Sequence, residues 1–132
     1  MSIVAFDTNL IIYWLENNPE FAKAALELIA PVIDQKESAV VSAVLCAEFI
    51  AGTGRAELLR PLFLLPNLSI VDVSYKIAKL AGELSHAHDT LKPMDAIHLA
   101  TAIDAQASKF VTNDQQLLKI GDIQSLKIVP IL

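Results

Sequence analysis

The chain has one cysteine, Cys46, in 132 residues, so no intrachain disulfide can form and a thiolate zinc cage is excluded. It has no surplus of basic residues. Ten Lys and Arg stand against fifteen Asp and Glu, a net charge of −5, which argues against long-range electrostatic capture of a polyanion. Divalent ions held by clustered carboxylates would cancel part of that charge locally, so nucleic acid is not excluded as a partner. No apolar run approaches the roughly 20 residues of a membrane span, because Glu, Lys, Asp or Pro interrupts each one. A basic leader is also lacking: Met1 to Phe6 runs straight into Asp7, where a signal peptide would need an apolar stretch. A soluble, cytoplasmic protein is the expectation. Repeats, low-complexity tracts and linkers are absent as well, and residues 1–132 read as one domain. What is abundant is apolar side chain, 54% of the total, enough for a dense core with or without an apolar surface left for a partner.

Short apolar runs alternate with segments of helical spacing. Strands are expected at residues 3–6, 39–42, 70–73, 110–112 and 128–129. An apolar stretch with aromatics covers 10–15 and ends at Asn17-Asn18-Pro19. Helices are expected at 20–35, with Pro31 as a kink or end, at 43–51 closed by Gly52, and at 57–65 stopped by Pro66. Two more fall at 75–88 and at 94–107, the latter started by Pro93. Continuous apolar strands separated by helices predict an α/β fold: a central parallel sheet of about five short strands with helices on both faces. In such sheets ligands gather outside the carboxyl ends of the strands. Asp7 follows the first strand and Asp114 closely follows the fourth.

Four acids sit where the local sequence explains them least: Asp7, Glu48, Asp95 and Asp114. Asp7 and Asp114 each precede a helical stretch and could serve as N-caps, a role compatible with metal ligation. Asp95 lies near the third position of a helix, where the macrodipole favours any acid by about 0.3–1 kcal/mol. Glu48 is the informative one, since it is the only charged residue between Ser42 and Thr53. A carboxylate in a helix apolar nearly all round needs a proton, an ion-pair partner or a metal. Hard oxygen ligands without Cys select Mg²⁺ or Mn²⁺, and such ions promote in-line phosphodiester hydrolysis.

The segments Ile3-Val4-Ala5-Phe6-Asp7-Thr8-Asn9, Glu48 in its apolar helix, Pro93-Met94-Asp95-Ala96-Ile97-His98-Leu99-Ala100-Thr101-Ala102 and Phe110-Val111-Thr112-Asn113-Asp114 together resemble the PIN-domain ribonucleases. The similarity is greatest to the VapC-like toxins of bacterial and archaeal toxin–antitoxin pairs, and it covers essentially the whole chain. The resemblance implies that Asp7, Glu48, Asp95 and Asp114 hold Mg²⁺, with Mn²⁺ as a substitute, and that Asn9 and Thr112 support them. It also implies RNA cleavage to a 5′-phosphate, a homodimer or larger assembly, and a cognate antitoxin whose tail occupies the active groove. One departure is that many relatives carry a hydroxyl shortly before the helix glutamate. This chain has Val44, Leu45 and Cys46 there, and Ser42 is its nearest hydroxyl.

Other chemistry-bearing residues have ordinary readings. His98, one turn after Asp95, could brace a carboxylate, although a packed, hydrogen-bonded histidine is the commoner case. His86 and His88 point apart on a helix and make a poor zinc pair. Asp104 reads as a surface residue. Trp14, Tyr13 and Phe21 suit core or interface packing better than base stacking, and Arg55, Arg60 and Lys92 read as solvated charges with possible phosphate contacts. Two rivals to the nuclease are a non-catalytic PIN-like binding module and a haloacid-dehalogenase-like phosphatase with Asp7 as nucleophile. The second needs an aspartate two residues on, where this chain has Asn9.

Overall fold

The computed structural model describes residues 2–132. Its five strands, β1 (Ile3–Phe6), β2 (Ser38–Ser42), β3 (Leu68–Val71), β4 (Lys109–Thr112) and β5 (Lys127–Pro130), form one sheet in the order β3-β2-β1-β4-β5. Every pairing is parallel, with Ala5 of β1 opposite Val40 of β2 on one side and Phe110 of β4 on the other. The helices are α1 (Thr8–Leu15), α2 (Ala22–Ile33), α3 (Val44–Thr53), α4 (Arg60–Phe63), α5 (Tyr75–Ala87), α6 (Pro93–Asp104) and α7 (Gln115–Ile120).

Strand side chains alternate between the two faces, and each face has its own core. Val4, Phe6, Val41 and Val111 pack with Leu10 and Ile11 of α1, Ile29 of α2, and Leu45 and Phe49 of α3. Ala5, Val40, Phe110 and Ile128 pack with Ile77 and Ala81 of α5 and with Ala96, Leu99 and Ala100 of α6. The expected layering is therefore present, with α1, α2 and α3 on one face and α5 and α6 on the other. No helix among the described residues is long and apolar enough to cross a membrane.

Several boundaries differ from the sequence expectation. α2 runs through Pro31 and ends two residues later, and backbone N–H groups of Lys36 and Glu37 turn back to the Pro31 carbonyl at 2.8 and 3.1 Å. α3 closes at Gly54, not Gly52, because Gly54 adopts the left-handed conformation (φ 68°) and returns its N–H to Ile50 at 2.8 Å. The helix expected over 57–65 is split into a 3-10 turn (Ala56–Leu59) and the short α4. Pro61 lacks an N–H and is accommodated at the start of a new helix. β3 lies two residues earlier than the expected 70–73, since it is aligned on β2 by the pairs Ala39 with Leu68 and Ser42 with Val71.

Chain order determines where function can sit. From β1 the chain moves outward through β2 to β3, then returns to lay β4 and β5 on the other flank. The reversal falls between β1 and β4, and the crevice beyond their carboxyl ends is the usual ligand position in a sheet of this kind.

Candidate active site

Asp7 leaves β1 at that crevice. Its backbone is extended and its Oδ1 accepts from the Thr8 N–H at 2.8 Å, so it starts α1 as an N-cap. Its Oδ2 accepts from the Thr112 hydroxyl at the end of β4, at 2.6 Å. The residue is only 6% exposed. Burial pushes its pKa above the ordinary value, against opposition from the His98 charge and the Thr112 and Thr8 hydrogen bonds, while Glu48 adds repulsion.

Across the crevice, Asp114 caps α7 by accepting from Gln116 N–H at 2.8 Å, and its own N–H donates to Thr112 Oγ1 at 3.0 Å. Thr112 thus joins the two aspartates through one hydroxyl. Asn9 accepts from Asn113 N–H at 3.3 Å and reaches Thr112 Oγ1 with its amide at 3.5 Å. The Asn113 amide donates to the Tyr13 hydroxyl at 3.1 Å, and the Tyr13 ring stacks on Phe21 with centroids 4.6 Å apart. Asn9 and Thr112 are thus hydrogen-bonded into the segments that carry Asp7 and Asp114. Tyr13 and Asn113 belong to the same network, which sequence reasoning had not connected.

Glu48 meets its partner here, and that partner is neither Lys nor Arg. Its Oε1 accepts from the Thr8 hydroxyl at 2.7 Å and contacts His98 Nε2 at 2.5 Å. Thr8 supplies the hydroxyl that the residues just before Glu48 lack, and Ser42 instead accepts from Val44 N–H at 3.3 Å at the start of α3. Burial raises the Glu48 pKa, but the hydrogen bonds from His98 and Thr8 and the His98 charge outweigh it, and the net shift is downward. His98 shifts upward: burial alone would lower it, and the bond to Glu48 together with the charges of Asp7, Glu48 and Asp95 prevails. The residue is 2% exposed, and among the described residues its Nδ1 has no hydrogen-bond partner.

Asp95, in the first turn of α6, completes the group. Its pKa is raised first by burial, then by repulsion from Asp7 and Asp114 and by Glu48, with His98 in opposition. The four acids thus share one electrostatic neighbourhood. Among the described residues, however, no three His, Cys, Asp or Glu side chains form a ready metal-holding group. Glu48 is drawn toward Thr8 and His98, and Asp114 is engaged at its helix start. The donor chemistry is that of a hard divalent cation, all carboxylate oxygen with mutual repulsion that such an ion relieves.

The remaining candidates lie elsewhere. Asp104 pairs at the surface with Lys76 at 2.9 Å, and Arg55 pairs with Glu57 at 3.3 Å. His86 sits in the last turn of α5 and His88 caps its end.

The sequence profile of the PIN domain matches residues 4–123. The chain belongs to the PIN-domain family. No curated protein sequence matches it. Among solved structures, the toxin VapC20 of Mycobacterium tuberculosis, described as cleaving the sarcin–ricin loop, superposes with a TM-score of 0.74 at 16% identity, over 94% of this chain and 98% of that one. A toxin–antitoxin complex from Klebsiella pneumoniae gives 0.66 at 27% identity, over 93% and 94%. VapBC2 of Rickettsia felis, bound to a fragment of promoter DNA, gives 0.68 at 23% identity, over 97% and 98%. The PIN domain described here therefore has the VapC-like fold of a nuclease family, and its β1–β4 crevice is where its acids gather.

Proposed function

We propose that this PIN domain is an endoribonuclease dependent on Mg²⁺, or Mn²⁺ in its place, that hydrolyses RNA phosphodiester bonds and leaves a 5′-phosphate. The observation that carries the reading is the electrostatic convergence of Asp7, Glu48, Asp95 and Asp114 at the reversal point of a PIN-type sheet. These four would hold the ion, which when bound supplies Lewis-acid charge and lowers the pKa of water. Thr8 N–H and Thr112 fix Asp7 from two sides, so its carboxylate cannot swing away from the crevice. Thr112 likewise holds the backbone of Asp114, and the Tyr13–Asn113–Asn9 contacts hold the loop between them.

The biological role we propose is the toxin of a cytoplasmic toxin–antitoxin pair, acting as a homodimer or larger assembly. Structural neighbours solved as toxin–antitoxin complexes support it. So does apolar surface on and beside α4, where Phe63 is 54% and Leu64 67% exposed. One observation favours a non-catalytic PIN-like module: one oxygen of Glu48, Oε1, is already engaged by His98 and Thr8. Cleavage of RNA by purified protein decides between them. Asp7→Asn should abolish cleavage with the fold intact, and exhaustive chelation should abolish it in the wild type. Activity surviving either treatment overturns the proposed mechanism.

A further inference from the structure

Glu48 and His98 come from helices that cover opposite faces of the sheet. α3 packs through Leu45 and Phe49 into one core, α6 through Leu99 and Ala100 into the other, and the pair meets over the carboxyl edge between them. Two donors, Thr8 Oγ1 and His98 Nε2, converge on the same oxygen, Oε1. Oε2 has no hydrogen bond among the described residues, and the Glu48 side chain keeps 33% of its surface exposed while the His98 side chain keeps 1%. An imidazole so enclosed cannot reach substrate. Among the described residues its Nδ1 has no partner, and the polar contacts of its ring there are made through Nε2, to Glu48 and, at 3.5 Å, to Thr8.

We propose that His98 is a positioning residue: with Thr8 it ties down Oε1 of Glu48, fixing the carboxylate's orientation and leaving Oε2 as the oxygen offered to a divalent cation. The inference rests on the metal-binding reading above and concerns how one ligand is held. Neighbours that orient metal-binding side chains typically alter metal affinity by 10–100-fold when removed. The cost arises because a freed Glu48 must be ordered again whenever it binds.

The test is Mn²⁺ binding to the full chain, followed by titration calorimetry and by the loss of the free-ion electron paramagnetic resonance signal. His98→Leu should weaken binding by about 10–100-fold. His98→Gln should recover most of it, because the glutamine amide nitrogen stands as many bonds from the backbone as Nε2. His98→Asn places its amide where Nδ1 was and should not recover it. In a Glu48→Gln background, His98→Leu should add little further loss, since both changes act through the same carboxylate. Circular dichroism shows whether each variant is folded; if His98→Leu is not, the Gln and Asn variants decide. Equal binding by those two, full additivity in the double variant, or unchanged affinity in folded His98→Leu overturns the assignment. Wild type that binds no Mn²⁺ removes the metal reading itself, and this assignment with it.

Discussion

Asp7→Asn should make the chelated protein more stable at neutral pH while removing its activity. Asp7 is 6% exposed, and burial holds its pKa above the ordinary 3.8. A carboxyl group with a raised folded pKa binds its proton more tightly in the folded state, so stability falls as pH rises from 3.8 through the folded value. Each unit of that rise costs about 1.4 kcal/mol once the group is ionised in both states. Asparagine keeps the shape and the acceptor for Thr8 N–H, but the Thr112 hydroxyl loses its charged acceptor, a cost of about 1 kcal/mol. Relief from that burial outweighs the loss, so the balance is a rise in Tm. Thermal unfolding in EDTA at neutral pH should show that gain, and it should disappear as pH falls below the ordinary 3.8, where Asp7 is protonated folded and unfolded alike. Saturating Mn²⁺ should invert the order, since a ligand at a hundredfold excess over its Kd adds about 2.7 kcal/mol to the wild type alone. A variant less stable than wild type in EDTA, by a margin independent of pH, would refute the reasoning.

Thr112→Val removes the hydroxyl shared by Asp7 and Asp114; urea unfolding should show a loss of about 1–3 kcal/mol, and cleavage should fall with it. Gly54→Ala should cost about 1–2 kcal/mol for backbone strain alone, because φ is 68° and a Cβ there meets nothing within 4 Å; unchanged urea stability would count against the left-handed cap. The raised folded pKa of His98 means that its contribution is complete below the ordinary 6.5 and is lost as pH rises through the folded value. Chelated wild type should therefore lose stability on that alkaline limb, and His98→Gln should flatten it in a pH series of thermal melts.

The layering was legible because buried strands and helix stripes leave local periodic traces: residues 3–6 coincide with β1, and 75–88 nearly with α5. What failed was decided at a distance or by a single bond. The register of β3 comes from β2, the break before α4 from the missing N–H of Pro61, and the end of α3 from which of two glycines turns left-handed. The acids were legible as types in the wrong places, Glu48 above all, since an apolar helix gives a carboxylate no local partner. The identity of that partner was hidden. His98 is 50 residues away and Thr8 is 40, and neither spacing leaves a mark in the intervening sequence.

Several contacts that assemble the crevice join an early segment of the chain to a late one: Asp7 to Thr112, Asn9 and Tyr13 to Asn113, Glu48 to His98. The β1–β4 pairing is the seam along which these segments meet. A chimera joining residues 1–72 of this chain to the later half of a relative could keep both cores and the sheet order. It would still scramble the crevice unless those pairs were transplanted together. Function in such recombinants should track the matching of partners across the seam rather than overall identity, which makes cleavage a sensitive report on whether two halves share a common ancestry of contacts.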